Sequence, residues 1–290
     1  MTTPISLLLW LGFIWGSGYS IAHYAMTHGV TPFGYAFWQS IGPALFLLLF
    51  ISIKKQRLPC SLIHLRYYFL MGGLGVFIPN TNMYFTAAHL PAGILAVIIN
   101  TVPIIAYPIA LLLKEEYFSL IRFTGVMIGV AGILLLIVPH AHLSIHTNEL
   151  PWALLALISP LCFALCAILG NKFRPADVHS VSLSCGMLCI STLLLIPLVF
   201  STHQFYSLSP PHHTAQWVVI LEIILSSIGY ILFFELLKKA GPIYYSLTGA
   251  VVALTGLFWG YLLFGERLSF YAALSVLFIL IAIILLTFKP

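Results

Sequence analysis

The chain has 290 residues, of which 7% are charged and 61% hydrophobic, and its formal net charge is +5. A soluble domain carries roughly 25% charged residues, so a water-exposed surface over most of the molecule is excluded and an all-α integral membrane protein is expected. The basic residues are scattered through short loops, which excludes the patch a nucleic-acid binder would need.

Apolar runs long enough to cross a bilayer predict ten transmembrane helices, at 4–23, 33–53, 67–87, 91–113, 119–138, 151–170, 179–200, 216–236, 242–264 and 268–288. The first is read as a span and not a secretory signal, since no Lys or Arg precedes Trp10 and no small-residue cleavage site follows. The linkers leave no room for a soluble domain. Eleven of the twelve basic residues fall on one side of this arrangement: Lys54, Lys55, Arg57, Arg66, Lys114, Arg122, Lys172, Arg174, Lys238, Lys239 and Lys289. Only Arg267 falls on the other. Basic loops stay in the cytoplasm, so both termini are expected there.

LLLKEEYFS at 111–119 and YLLFGERLS at 261–269 share Leu112/Leu262, Leu113/Leu263, Glu116/Glu266 and Ser119/Ser269 at a constant offset of 150 residues. Val102/Val252 continues the match. Five spans lie between the copies, an odd number, so the two glutamates sit on opposite faces of the membrane. The expected architecture is two inverted five-helix repeats, 1–142 and 143–290, which is a transporter design. Taken singly, Ser119 or Ser269 reads as the N-cap of the next helix, with the glutamate marking the interface.

LLLKEEYFSLIRFTGVMIGVAGILLL and YLLFGERLSFYAALSVLFILIAIILL resemble the ends of the two repeats of the EamA branch of the drug/metabolite transporter superfamily. FIWGSGYS in span one and TAAHLPAGILAVIINTVPI across spans three and four resemble it too, and the likeness covers essentially the whole chain. Ala253 departs from the pattern, standing where the family keeps the proline matched here by Pro103. The resemblance implies a ten-helix secondary transporter with a central cavity among spans 1, 3, 4, 6, 8 and 9. Many relatives export amino acids or related metabolites, and some import. No P-loop is present, so ATP-driven pumping has no support.

Polar groups inside a bilayer must be satisfied by protein, water or ligand, which selects the candidate substrate-binding residues. In span three Asn80 and Tyr84 are four apart and share a face, just after Pro79. In span four Asn100, Pro103 and Tyr107 share another. The alternative is that the two asparagines hydrogen-bond neighbouring helices; Asn82 points away and ranks lower. Span one offers Trp15 and Tyr19 around Gly16, Ser17 and Gly18, as cavity walls or as ordinary core rings. Trp38 and Gln39 rank lower, because the resemblance makes span two peripheral.

Glu222 is the most informative residue. It lies inside WVVILEIILSSIGY, on one face with Ser226, Gly229 and Tyr230. It is about 7 to 8 Å deeper than Trp217, taken as the outer belt. A carboxylate there is costly and marks function: it would bind a substrate amine or a coupling proton, or sit solvated or protonated at the outer mouth.

Cys162, Cys166, Cys185 and Cys189 lie on consecutive spans, but small-x-x-x-small spacing is also a packing pattern, so no metal site is expected. HAHLSIH at 140–146 reads as a solvated loop. No cofactor is expected. The function expected is secondary active transport, as an exporter, of a small neutral or zwitterionic metabolite such as an amino acid, by alternating access in the plasma membrane of a bacterium (the inner membrane). The absence of a buried basic cluster argues against phosphates and dicarboxylates. The alternatives are an organic-cation, amine or metal-ion carrier with Glu222 as counter-charge, or a non-transporting sensor. An enzyme is not expected: Asp177 is the only aspartate, and no H-E-x-x-H occurs. The expected partners are the substrate, the lipid bilayer and a coupling proton, with the protein a monomer or, through G-x-x-x-G faces, a homodimer.

Overall fold

The structure is a computed structural model that describes residues 3–99, 101–114, 117–137, 149–175, 178–209, 214–246, 248–266 and 270–287. Among the described residues it is helical throughout, with no strand. In chain order the helices are α1 (Pro4–Thr27), α2 (Pro32–Ile53), α3 (Leu62–Gly72), a π-helical turn (Gly73–Phe77), α4 (Ile78–Ala87), α5 (Ala92–Ile99), α6 (Val102–Leu112) and α7 (Leu120–Ile137). They continue with α8 (Leu150–Ala156), α9 (Ile158–Lys172), α10 (Ser180–Ser201), α11 (Thr214–Ser246), α12 (Thr248–Phe264) and α13 (Phe270–Thr287). Among the described residues, seven helical stretches are long and apolar enough to cross a membrane, and three shorter apolar helices accompany them. Rings and aliphatic side chains such as Trp10, Phe13, Leu49, Phe200 and Leu277 stay exposed, as a lipid-facing surface requires.

Prolines account for several discontinuities. The run expected at 67–87 is α3, the π-helical turn and α4, with Pro79 in the first turn of α4. Proline has no N–H to return to the preceding turn. The run at 91–113 divides at Thr101, ahead of Pro103 in the first turn of α6. The run at 151–170 divides at Leu157, ahead of Pro160. In α12, where Ala253 replaces the matching proline, the helix is unbroken. The loop expected at 237–241 is helix instead: α11 runs through it. Glu-Leu-Leu-Lys-Lys contains only helix formers, and Glu235 pairs with Lys239 one turn on, at 4.0 Å.

Glycines set the closest helix crossings. A Cβ on Gly12 would meet Val251 Cγ1 at 2.5 Å and one on Gly16 would meet Thr255 Cβ at 2.5 Å, so α1 lies directly against α12. Gly256 allows the same approach of α12 to Ala96 on α5. Close contact through small residues is the usual adhesive between helices in lipid. Elsewhere α7 packs along α13, α10 along α2, α1 also along α11, and α9 against both α4 and α6.

Candidate functional site

Four side chains from three helices form one hydrogen-bonded chain inside the bundle. Asn80 Nδ2 on α4 donates to Gln39 Oε1 on α2 at 3.0 Å. Gln39 Nε2 donates to Ser226 Oγ on α11 at 3.2 Å. Ser226 Oγ donates to Glu222 Oε1 one turn earlier, at 2.7 Å. Every hydrogen in the chain points toward the carboxylate. Glu222 is 7% exposed, and its second oxygen, Oε2, is buried with no hydrogen-bond partner among the described residues. A Cβ on Gly18 of α1 would stand in ordinary contact with both carboxylate oxygens, at 3.7 Å, so α1 passes directly beside the acid.

Aromatic rings surround this group. Tyr35, Tyr84 and Tyr230 lie within electrostatic reach of Glu222. Tyr35 meets Tyr84 edge to face at 4.6 Å between centroids, and the Tyr35 hydroxyl is also buried without a partner among the described residues. The Tyr230 hydroxyl lies against the Gln39 and Asn80 amides. Trp15 packs on Tyr230 at 6.4 Å and on Phe233 at 5.5 Å, where Gly229 gives its indole room.

Of the candidates read from sequence, the structure brings together Asn80, Tyr84, Glu222, Ser226 and Tyr230, with Trp15 at the edge. Tyr19 is buried on α1 near Gly256 of α12. Asn100 lies outside the described residues. Tyr107 is placed elsewhere: its hydroxyl accepts from the Ser119 amide at 2.8 Å, and Arg122 stands 5.9 Å from its ring centroid. Tyr107 therefore ties α6 to the entry of α7. Gln39, ranked low from sequence, is the middle link of the chain. Asn82 binds as helix adhesive, donating to Leu155 O and Ser159 Oγ, each at 2.9 Å. Among the described residues no group of three or more His, Cys, Asp or Glu could hold a metal, and the 140–146 run lies outside them.

An apolar groove of about 650 Å³ lies between α1, α11 and α12, lined by Trp10, Phe13, Ile14, Leu225, Leu232 and Trp259. Glu222 does not line it, and its walls suit lipid, so it is distinct from the polar chain.

The second member of the repeated Glu-x-x-Ser has a definite place. Glu266 accepts from the Ala92 amide at 2.7 Å through Oε1 and from the Gly93 amide at 2.9 Å through Oε2. It caps α5 from the opposite half of the chain. Glu116 and Ser269 lie outside the described residues.

Three comparisons bear on this architecture. The chain is 26% identical over 220 residues to Protein PecM of Dickeya dadantii (strain 3937), covering 75% of this chain and 72% of that protein. It is 29% identical over 132 residues to the uncharacterized transporter YdfC of Bacillus subtilis (strain 168), covering 46% of this chain and 42% of that one. A solved crystal structure with 14% sequence identity shares the fold with a TM-score of 0.66, over 96% of this chain and 94% of the other. The model of the EamA-like transporter family matches residues 2–138 and 150–288. The chain therefore belongs to the EamA-like transporter family of the drug/metabolite transporter superfamily.

Proposed function

We propose that this protein is a secondary active transporter that exports a small neutral or zwitterionic metabolite, such as an amino acid, by alternating access across the plasma membrane. The substrate or a coupling proton meets the bundle at Glu222. The observation that carries this reading is the buried Oε2 of Glu222, which has no partner among the described residues while Oε1 is held by Ser226. An acceptor left open inside a helix bundle costs free energy, and a protonated amine or a proton supplies what it lacks.

The helix pairings support inverted repeats with ten spans. Exchanging each span with the one five later turns α1 on α12 into α9 on α6, and α1 on α11 into α9 on α4. It leaves α2 on α10, α5 on α12 and α7 on α13 unchanged. All of these contacts are made. Such symmetry suits a site that opens to either face by equivalent movements. The distribution of Lys and Arg supports a cytoplasmic position for both termini.

A second reading, an amine or organic-cation carrier, is favoured by one observation. No Lys, Arg or His belongs to the described residues of the chain from Asn80 to Glu222 or to the rings around it. A substrate carboxylate would find no basic partner there. Counterflow in proteoliposomes, with neutral amino acids, polyamines and quaternary amines as probes, separates the readings whatever the driving ion. Exchange of an amino acid, lost in Glu222→Gln, is the expected result. Exchange of amines alone selects the second reading. No exchange by folded protein, or full exchange by Glu222→Gln with unchanged pH dependence, overturns the role of the site.

A further inference from the structure

The polar chain around Glu222 leaves two oxygens open. Glu222 Oε2 is buried without a partner among the described residues, and so is the Tyr35 hydroxyl. Three other oxygens of the chain are already taken: Glu222 Oε1 accepts from Ser226, Ser226 Oγ from Gln39, and Gln39 Oε1 from Asn80. Tyr35 stands one turn before Gln39 on the same face of α2, within electrostatic reach of Glu222. It is fully buried, and its ring is held edge to face on Tyr84 at 4.6 Å. That packing uses the ring and not the hydroxyl. An unbonded hydroxyl in a dry interior costs free energy, so packing does not account for a tyrosine at this position where a phenylalanine would serve.

Both open atoms are ready for donors. A carboxylate oxygen only accepts, and a phenol oxygen accepts while keeping its own hydrogen. A site cut off from water is strict about such matching, because a group left bare there has no solvent to turn to. The number of N–H groups on an incoming nitrogen then decides how well it fits. A primary ammonium has three and fills both oxygens. A tertiary ammonium has one and fills a single oxygen. A quaternary ammonium carries the same charge but sets methyl groups against both.

We propose that the Tyr35 hydroxyl is a specificity-determining contact: with Glu222 Oε2 it receives two N–H groups of one nitrogen, so this site takes a primary ammonium and rejects a quaternary one. The proposal rests on the reading that Glu222 meets the substrate. It narrows both forms of that reading, since an α-amino acid and an alkylamine each bring such a head group. Glu222 supplies the charge that attracts every ammonium, and Tyr35 supplies the acceptor that tells them apart.

The test is equilibrium binding to the purified full chain in detergent, by isothermal titration calorimetry, with two series of probes. One is hexylamine and its N-methyl, N,N-dimethyl and N,N,N-trimethyl forms. The other is leucine methylated in the same steps. Along each series the nitrogen keeps its positive charge at neutral pH and loses one N–H at a time. A hydrogen bond to a charged group is worth roughly tenfold or more in affinity. The primary member of at least one series is therefore expected to bind roughly a hundredfold more tightly than the quaternary member. Tyr35→Phe keeps the ring on Tyr84 and removes only the oxygen. It is expected to weaken the primary member roughly tenfold and to leave the quaternary member unchanged. The thermal midpoint without ligand should stay the same or rise, because the lost hydroxyl was bonded to nothing; a merely structural tyrosine would lower it. A flat series, a preference for the quaternary member, or Tyr35→Phe protein that binds the primary member as before overturns the proposal. So does a loss for leucine but not hexylamine when both bind, since the hydroxyl would then be donating to a carboxylate. If Tyr35→Phe does not fold, the order along the methyl series decides. Failure of the Glu222 reading itself looks different: neither series binds, or Glu222→Gln binds every member as well as the unaltered protein, and this proposal falls with it.

Discussion

Gln39 is the residue on which the integrity of the polar chain turns, and its removal has a calculable effect. Gln39→Leu keeps the side-chain volume and the helix, but it deletes the acceptor of Asn80 at 3.0 Å and the donor to Ser226 at 3.2 Å. Interhelical hydrogen bonds in membrane proteins average about 0.6 kcal/mol each. Stranding the buried Asn80 amide adds about 1 to 2 kcal/mol. The expected destabilisation is therefore about 2 to 3 kcal/mol. Asn80→Leu alone loses one bond and leaves Gln39 Oε1 without its Asn80 donor, for about 1.5 to 2.5 kcal/mol. In the Gln39→Leu background Asn80 keeps only the Tyr230 hydroxyl, so Asn80→Leu should then cost about 1 kcal/mol less than it does in the unaltered protein. Equilibrium unfolding in mixed detergent and denaturant micelles would measure the cycle. Strictly additive losses would show that the two amides are not joined and would refute the chain.

Tyr107→Phe should lower stability by about 1 kcal/mol through the lost bond to the Ser119 amide while leaving the half-saturation concentration in counterflow unchanged; a large rise would return Tyr107 to the substrate site. Gly265→Ala should cost about 1 kcal/mol from its left-handed backbone, read as a lower midpoint in thermal unfolding, and an unshifted midpoint would remove the turn from the account of Glu266. Gly16→Leu should prevent α1 from reaching α12, since even a Cβ meets Thr255 and Val252 O at 2.5 and 2.8 Å. The expected result is loss of monodisperse protein on size exclusion, and a well-folded, active variant would contradict the packing.

Glu222, Ser226, Asn80 and Tyr84 were readable because each is a polar residue in an apolar run, and spacings of four put them on shared faces. Gln39 carried the same signal, an amide that must find partners in lipid, and only the expected peripheral position of span two hid it. Lys238 and Lys239 were misleading as loop markers: lysines at a helix end mark the interface, and helix-forming neighbours carried α11 past them. Pro79, Pro103 and Pro160 each stand just after a discontinuity, whereas Pro108 and Pro197 lie inside unbroken helices, so proline alone does not tell a break from a continuous span. The destination of Glu266 was beyond reach, because its partner amides lie more than 170 residues earlier in the chain and only folding brings them together.

The seam between α7 and α13 has a consequence for biosynthesis. Ser275 Oγ donates to Gly132 O at 2.6 Å, and Gly132 and Gly129 receive Ile279 and Ala282 closely. Each half ends in a helix whose mate is the last helix of the other half. When α7 leaves the ribosome, that mate has yet to be made: roughly 150 residues, or about 8 to 30 s of synthesis, still lie ahead. During that interval Ile104 of α6 already reaches Gly129, but the stretch around Gly132 that Ser275 and Ile279 will cover lacks its partner. The first half is therefore exposed to quality control until the final helix arrives. Its survival as a separate polypeptide should depend on supplying the second half in the same membrane.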